Sequence, residues 1–252
     1  TGNILKPFPE EAFRQLISRF TTLHFTPTRI GLANLLKEGI RKNNIHVVGN
    51  TIVDTLRLQI NNLQTDLPKK HTPNLLVTLH RRENFESVIK CVCESIKRFA
   101  LNNRGVEVTV IKHSNPHTST TMENILTGIP NVILEKPTSH RQLIEKMIKA
   151  TCIITDSGGI QEEAFLLQKR ILIARTETER PEVLKGNADL LDLDEKSIIK
   201  ELERSVLMQA KSNNAKRLQK MSPNIKSEFG DGHTAEKILT TVRRYLEDSM
   251  DT

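Results

Sequence analysis

Short β-branched runs alternate with amphipathic stretches along most of the chain. Runs of five or six residues with the composition of strands lie at 45–49, 75–79, 106–111, 131–135, 152–156 and 170–174. Stretches with helical spacing lie at 8–20, 29–38, 51–63, 85–101, 118–126, 139–149, 160–168, 195–212 and 234–248. Parallel strands need long crossover connections, which helices usually supply. The alternation therefore predicts an α/β fold with doubly wound, Rossmann-like parallel sheets.

A polar segment with two prolines, at 61–74, interrupts this alternation and predicts a linker. Residues 72–205 carry enough predicted strands for one complete sheet, whereas residues 1–60 carry one strand and three helices. We therefore predict an incomplete amino-terminal lobe at 1–68 and a carboxyl-terminal Rossmann-like lobe at 69–252 that ends in a crossover helix. Because the first sheet is incomplete, we expect its helices to expose apolar faces and the terminal helix to lack a packing partner.

Charge and composition exclude two classes of partner. The 252 residues include 37 Lys plus Arg and 30 Asp plus Glu, which gives a net charge of +7. The positive residues are scattered, and the absence of Trp with a single Tyr leaves few rings on which bases could stack. The longest apolar runs are far shorter than the roughly 20 residues of a membrane span. We therefore predict no nucleic-acid partner and no membrane association.

The cysteines and the amino-terminal sequence indicate the cellular compartment. Cys91, Cys93 and Cys152 lack metal-ligand spacing, so we interpret them as free thiols, which suit a reducing cytoplasm. The amino end has no basic segment followed by an apolar stretch, so we expect no secretory signal. These features predict a cytoplasmic protein.

Basic, polar and glycine residues follow four of the predicted strands. These segments are HisArgArgGluAsn at 80–84, HisSerAsnProHis at 113–117, SerGlyGly at 157–159, and Arg175 followed by ThrGluArgProGlu at 178–182. In parallel α/β sheets the ligand lies beyond the carboxyl ends of the strands. We therefore expect all four segments to converge on one rim of the sheet.

The segment at 157–163 has the features of a phosphate-binding loop. Two glycines allow a ligand to approach the backbone, and the helix that follows presents free N–H groups and the positive end of its dipole. The alternative is an ordinary strand-to-helix turn in which Ser157 caps the helix. The segment is neither a Walker loop nor a GxGxxG fingerprint, so neither ATP hydrolysis nor NAD binding follows.

The histidine-containing strand ends also have two interpretations each. His80 with Arg81 and Arg82 would suit a diphosphate or a sugar hydroxyl, and the alternative is a solvated cluster neutralised by Glu83. His113 is either a ligand-binding residue or a half-exposed strand end. The remaining histidines, at 24, 46, 71, 117, 140 and 233, we interpret as structural.

Eight segments in order carry a resemblance to a known family. They are ProPheProGluGlu (7–11), PheThrProThr (25–28), ValGlyAsnThrIleValAspThrLeu (48–56), ThrLeuHisArgArgGluAsn (78–84), HisSerAsnPro (113–116), ThrAspSerGlyGlyIleGlnGluGluAla (155–164), ThrGluArgProGlu (178–182) and PheGlyAspGlyHisThrAlaGluLysIle (229–238). Together with the opening ThrGlyAsn, they resemble the non-hydrolysing UDP-N-acetylglucosamine 2-epimerases. The resemblance implies the two-lobed glycosyltransferase-B fold.

The resemblance covers the later two-thirds of that family. It implies that most of the amino-terminal lobe, with the acidic residues that the family places just upstream of ThrGlyAsn, does not belong to this chain. Departures within the matched part are Phe165, Gln168 and Arg170, where the family usually has Pro, Gly and Pro. Others are Leu79, where a small residue is usual, and 187–189, where the family's loop continues GlyThr.

The resemblance implies an isomerase that needs no redox cofactor. The family interconverts UDP-GlcNAc and UDP-ManNAc by eliminating UDP across C1–C2 to give 2-acetamidoglucal and then adding UDP back, and it supplies surface-polysaccharide precursors. By resemblance, Ser157, Gly158 and Gly159 hold the phosphates. Glu163 takes the ribose hydroxyls, and the segment around Leu143 faces the uracil through its backbone.

The remaining implied roles concern catalysis and regulation. Glu10 is one of the acid/base carboxylates, His80 and Arg81 bear on the diphosphate, and Arg175 lies at the substrate rim. Arg81 and His113 match positions that touch a second, regulatory UDP-GlcNAc in bacterial members. Complete members of the family are homodimers.

Two other functions stay open. The chain is either a catalytically inactive nucleotide-sugar-binding remnant or one half of a split enzyme whose partner supplies the other lobe. A glycosyltransferase of the same overall fold is disfavoured, because the motifs at 80–84 and 157–163 fit the epimerases better.

Overall fold

The computed structural model describes residues 2–5, 7–61, 72–79, 86–112, 116–207 and 228–250. The strands are β1 (His24–Thr26), β2 (Ile45–Val47), β3 (Asn74–Thr78), β4 (Glu107–Ile111), β5 (Val132–Glu135), β6 (Cys152–Thr155), β7 (Arg170–Ile173) and β8 (Ala188–Leu190). The helices are α1 (Glu10–Ser18), α2 (Arg29–Lys37), α3 (Thr51–Asn61), α4 (Glu86–Asn102), α5 (Pro116–Leu126), α6 (His140–Lys149), α7 (Gly158–Leu166), α8 (Glu195–Leu202) and α9 (Thr234–Met250). Two 3-10 helices span Lys42–Asn44 and Pro181–Lys185, and a π-helical turn spans Glu203–Leu207.

The chain divides into two compact units. Unit 1 comprises Thr1–Asn62 and Pro223–Thr252, and unit 2 comprises Leu63–Ser222. This division differs from the predicted boundaries of 1–68 and 69–252, because the carboxyl-terminal residues group with unit 1. The physical reason is a set of hydrogen bonds that fixes the start of α9 to α3.

Unit 2 is built on a six-stranded parallel sheet in the order β5-β4-β3-β6-β7-β8. Strands β3, β4 and β5 build one side of the sheet and β6, β7 and β8 build the other, which confirms the α/β prediction. Every residue of β6 and β7 is buried. Strands covered on both faces read as continuous apolar runs, and for that reason the sequence pattern located them well.

One face of this sheet packs against α4, α5 and α8. Their apolar side chains and those of the strands form a single buried cluster that includes Val77, Ile96, Phe99, Met122 and Ile198. The observed ends of the predicted helices agree to within a few residues, except that α8 ends at Leu202 and continues as the π-helical turn. Residues 208–212, which the sequence placed in the same helix, lie outside the described part of the chain.

Unit 1 contains a two-stranded parallel sheet, in which His24 pairs with Ile45. Apolar side chains next to and along α1 are exposed, as expected: Phe8, Phe13, Leu16, Ile17 and Phe20, the last at 87%. The opposite side of α1 is held to α2, because Arg14 Nη2 donates to both Glu11 Oε1 and Glu38 Oε1 at 2.6 Å. The apolar face therefore stays open although the helix itself is anchored.

The start of α9 docks on the loop before α3. The Asp54 carboxylate accepts hydrogen bonds from the backbone N–H groups of Thr234 and Ala235, both at 3.1 Å. Gly49, at φ +100°, makes this approach possible, since a Cβ there would lie 2.8 Å from Thr234 Oγ1. The expectation that the terminal helix lacks a packing partner is therefore wrong for its first turn. The sequence could not show this, because the cap joins residues about 180 positions apart.

Among the described residues, no helix is long and apolar enough to cross a membrane.

Candidate functional site

The loop between β6 and α7 is fixed from within the sheet. Thr155 Oγ1 accepts a hydrogen bond from Ser157 N at 3.1 Å and another from Thr78 Oγ1 at 2.9 Å. Both threonines are fully buried at the carboxyl ends of neighbouring strands. The position of the loop backbone is therefore set by the strand ends rather than by the surface.

Ser157 occupies the N-cap position of α7, but its side chain makes no capping hydrogen bond. Its backbone is extended, at φ −83° and ψ 125°, as is usual for an N-cap residue. The structure therefore contradicts the alternative interpretation, in which the Ser157 side chain caps α7. The hydroxyl is left available for another partner.

The two glycines leave space at the start of α7. The first N–H groups of any helix lack intrahelical acceptors, and here the N–H of Gln161 makes the first backbone hydrogen bond of α7 among the described residues, donating to Ser157 O at 3.0 Å. A Cβ on Gly159 would meet no atom of the described residues within 4 Å, and neither Gly158 nor Gly159 has a positive φ. The backbone conformation does not require glycine at either position. What glycine provides is access to N–H groups at the positive end of the helix dipole.

Three consecutive polar side chains behind this turn are buried; the first two are tied to the segment after β7 and the third to α6. Gln161 Oε1 accepts a hydrogen bond from Thr178 Oγ1 at 2.8 Å, and Glu162 pairs with Arg180. Glu163 Oε1 lies 2.5 Å from His140 Nε2 on α6. Gln161 Nε2 is buried and finds no hydrogen-bond partner in the described part of the chain. A buried donor without a partner is costly, so it marks a place where a ligand or a water would be favourable.

Opposing effects act on the ionisation of Glu163, and burial is the largest of them. Burial raises the pKa of this carboxyl, because an ionised group loses its hydration there. The contact with His140 acts in the opposite direction and favours the ionised form.

The segment after β7 lies beside the same turn. Arg175 is half-buried and pairs with Glu179, and a Cβ on Gly158 would lie 3.4 Å from Glu179 Oε1. The positive charge of Arg175 is therefore partly neutralised within the chain. Glu179 lies between Arg175 and the glycine turn.

The structure brings together those predicted site residues of unit 2 that it describes. Ser157, Gly158, Gly159 and Glu163 lie in or next to the first turns of α7. Leu143 is half-buried in the first turn of α6, where its N–H donates to Ser139 O at 3.0 Å, and the same helix carries His140 to Glu163.

The other predicted site residues cannot be placed at this rim. His80, Arg81 and His113 lie outside the described residues. Glu10 is exposed at the first position of α1 and belongs to unit 1.

Arg170, one of the departures from the family pattern, is the centre of a buried network. Its Nε donates to Ser205 Oγ at 2.9 Å, and its Nη2 donates to Glu201 Oε1 at 2.5 Å and also contacts Asp189. Its Nη1 donates to Asn187 O at 3.2 Å. The unusual residues at 170 and at 187–189 therefore compensate each other.

Phe165, a second departure, packs on the neighbouring loop. A Cβ on Gly186 would lie 2.8 Å from Phe165 Cε2, so glycine is required there by the large ring. The contacts of Phe165 and Arg170 given above lie with residues at 186–205, and none of them involves Ser157, Gly158 or Gly159.

His140 was interpreted as structural from sequence and Gln161 was given no role of its own, whereas Thr178 and Arg180 belong to the 178–182 segment that was expected at this rim. The sequence SerHisArgGln at 139–142 indicates a helix start, since Ser139 and Gln142 form a capping box that fixes the start of α6. No local pattern shows that this places the His140 ring against Glu163, because the contact joins two helices.

A separate cavity of about 580 Å³ lies beside α6 and is lined by Asn74, Glu107, Glu135, Lys146 and Lys149 among others. None of its lining residues belongs to the glycine turn. Among the described residues, no group of three His, Cys, Asp or Glu side chains could hold a metal ion.

Comparison with known proteins decides the family. The family model described as UDP-N-acetylglucosamine 2-epimerase matches residues 1–243. The chain belongs to this family. A UDP-N-acetylglucosamine 2-epimerase of Campylobacter jejuni is 36% identical over 258 residues, which is 96% of this chain and 66% of that relative. One from Salmonella borreze is 35% identical, over 95% of this chain and 65% of its own length. The resemblance drawn from the motifs is thereby confirmed.

Solved structures of UDP-N-acetylglucosamine 2-epimerases share the fold. The crystal structure of the Neisseria meningitidis enzyme bound to UDP-GlcNAc has a TM-score of 0.83 and 31% identity, covering 97% of this chain and 67% of that one. The Staphylococcus aureus MnaA-UDP co-structure has a TM-score of 0.82 and 28% identity, covering 97% and 66%. The wall teichoic acid polymerase TagF, at 11% identity and a TM-score of 0.54, shares the fold alone. The chain thus spans about two thirds of the length of the relatives that it matches.

Proposed function

We propose that this chain takes part in the interconversion of UDP-GlcNAc and UDP-ManNAc, and that unit 2 binds the UDP moiety at the glycine turn. The observation that carries this proposal is the start of α7, where Ser157 makes no cap and a Cβ on Gly159 would meet open space. Family membership and the UDP-GlcNAc bound to the meningococcal enzyme in its crystal structure support it.

The reaction first requires stabilisation of the departing diphosphate. The reaction eliminates UDP across C1–C2 of the sugar, so negative charge accumulates on the β-phosphate as the C1–O bond breaks. Backbone N–H groups at a helix start, already oriented, stabilise such charge without reorganisation. The N–H groups of Gly158 and Gly159 take this role, with the Ser157 hydroxyl beside them.

Residues of α6 and α7 recognise the nucleoside. Glu163, as a carboxylate, accepts hydrogen bonds from the ribose hydroxyls, and the backbone around Leu143 faces the uracil. Arg175 lies at the same rim. Its guanidinium is paired with Glu179. It therefore contributes more to the orientation of the ligand than to the net positive charge of the site.

Proton transfer at C2 requires positioned acid/base groups, because that proton is hardly acidic. We assign Glu10 to this task, with His80 and Arg81 on the diphosphate. Arg81 and His113 would also touch a second, regulatory UDP-GlcNAc. We further propose a cytoplasmic setting, which the three free cysteines favour, a role in surface-polysaccharide precursor supply, and homodimers for complete members.

The substitution Gly159→Ala tests the binding site. We expect the dissociation constant for UDP to rise at least about tenfold, because a methyl group would stand where the phosphate approaches the backbone. The free energy of unfolding should stay equal or rise by up to about 1 kcal/mol, since alanine favours a helix over glycine. Calorimetric titration with UDP and urea unfolding measure the two quantities.

Gly105→Ala is the matched control. A Cβ at Gly105 also meets no described atom within 4 Å, and its φ is not positive, but it lies in the turn before β4. It should leave UDP affinity unchanged. Wild-type affinity in Gly159→Ala would refute the assignment of the diphosphate to this turn.

A further inference from the structure

The contact between α6 and α7 joins a half-exposed histidine to a buried carboxyl. His140 Nε2 lies 2.5 Å from Glu163 Oε1, and the side chains are 42% and 5% exposed. His140 is the first residue of α6, and Glu163 lies in the second turn of α7. The pair therefore fixes one helix start relative to the other within unit 2.

The backbone that carries His140 is itself well held. Ser139 N donates to Gln142 Oε1 at 3.1 Å, and Gln142 N donates to Ser139 Oγ at 3.4 Å, so both halves of a capping box are present. The capping box fixes the backbone from which the His140 ring reaches Glu163, so His140 does not lie on a free loop.

The charges around Glu163 single out His140. The ionisable residues on the elements packed against α7 include Cys152 on β6, Arg170 on β7, and Glu182 and Lys185 on the 3-10 helix after Arg180. Helix α6, which carries His140, also holds Arg141, Glu145, Lys146 and Lys149, and Arg175 and Glu179 lie in the segment beside Gly158. Arg170 pairs with Glu201, Arg180 with Glu162, Arg175 with Glu179, Arg141 with Glu145 and Lys146 with Glu135. Among the described residues, the charged groups that act on the Glu163 carboxyl are His140, which favours ionisation, and Glu162, which opposes it.

We infer that His140 is a positioning residue for the nucleoside, which holds the Glu163 carboxylate in the orientation that accepts the ribose hydroxyls. This inference rests on the proposed function. One carboxylate oxygen faces the imidazole, which leaves the second oxygen and the remaining lone pairs for the two hydroxyls of the ribose. A neutral carboxyl would have to donate its own proton and would accept from one hydroxyl fewer.

The affinity for UDP should therefore depend on pH, and the direction of the change follows from the pKa of Glu163. Burial raises the pKa of Glu163, and the histidine acts against it. Without His140 the pKa of Glu163 rises further, so the carboxyl becomes neutral at a higher pH. The lower pH limit for UDP binding therefore moves upward in a variant that lacks the imidazole.

The experiment compares UDP affinity across about pH 5 to 8, where histidine and a buried carboxyl titrate. The variants are His140→Phe, which keeps a ring without nitrogen, and His140→Gln, which keeps an N–H donor. In His140→Phe we expect UDP to bind about tenfold more weakly at neutral pH, with the loss of binding on acidification beginning at a higher pH. His140→Gln should recover part of the affinity. Arg141→Gln, which removes an exposed charge on the same turn, should match the wild type.

A second probe separates the ribose contact from a general loss of folding. 2′,3′-Dideoxy-UDP lacks both hydroxyls, so its affinity should be the same for the wild type and His140→Phe. Equal UDP affinity and an equal pH profile in the wild type and His140→Phe would overturn the inference. So would an equal loss for UDP and its dideoxy analogue. Absence of UDP binding by the folded wild type at every pH would instead refute the proposed function.

Discussion

We expect the 252-residue chain, assayed alone, to interconvert UDP-GlcNAc and UDP-ManNAc at least about 10⁴-fold more slowly than the Campylobacter jejuni relative, because each missing acid or base group costs about 10²–10⁴-fold. On the resemblance, Glu10 is the family carboxylate that this chain carries, and the others belong to the third of the relative that it does not match. Glu10 is also exposed to solvent, whereas an acid/base group works best in a closed site. Proton NMR in D₂O would follow UDP-ManNAc and the exchange at C2.

The same sample must bind UDP, so that a lack of turnover is not a lack of folding. Adding a polypeptide that corresponds to the unmatched third of the relative should raise turnover if the chain is one half of a split enzyme. It should have no effect if the chain is an inactive nucleotide-sugar-binding protein. Turnover within tenfold of the relative by the chain alone would show that the carboxylates of the unmatched third are dispensable.

Replacing Arg170 should have the largest effect on stability. Arg170→Met removes a side chain that is 10% exposed and leaves Glu201 and Asp189 without their buried partner. Loss of one member of a buried ion pair typically costs about 3–5 kcal/mol, and we expect about 3 kcal/mol here because both carboxylates keep some access to water. Urea unfolding gives the magnitude, and hydrogen exchange of the β6, β7 and β8 amides locates it in unit 2.

Arg204→Met is the matched control. Arg204 contacts the same two carboxylates from a position that is 55% exposed. An exposed ion pair contributes little to stability because solvent screens it, so this variant should lose much less stability than Arg170→Met. Equal losses in the two variants would contradict the central role of the buried guanidinium.

Periodicity predicted β2 to β7 and missed β1 and β8. β6 (CysIleIleThr) and β7 (ArgIleLeuIle) are buried and mostly apolar, and they were located to within a residue. β1 (HisPheThr) and β8 (AlaAspLeu) have three residues each and no β-branched run. Their strand geometry comes from pairing with β2 and β7, which no local pattern contains.

The same limit applies to the candidate site. The SerGlyGly turn was visible because its properties are local: small residues at a helix start after a strand. The His140–Glu163 and Arg170–Asp189 contacts join residues 23 and 19 positions apart on different elements. The position of His140 at a helix start could be predicted from its capping box, but its partner follows from how α6 and α7 pack.

The central claim is that UDP binds unit 2 at the start of α7, and a crystal structure of the chain with UDP tests it most directly. We predict that diphosphate oxygens lie within hydrogen-bonding distance of the N–H groups of Gly158 and Gly159, with the ribose hydroxyls on Glu163. UDP bound instead in the cavity beside α6, against Glu135 and Lys146, would contradict the claim, as would crystals grown with saturating UDP in which this turn holds no nucleotide.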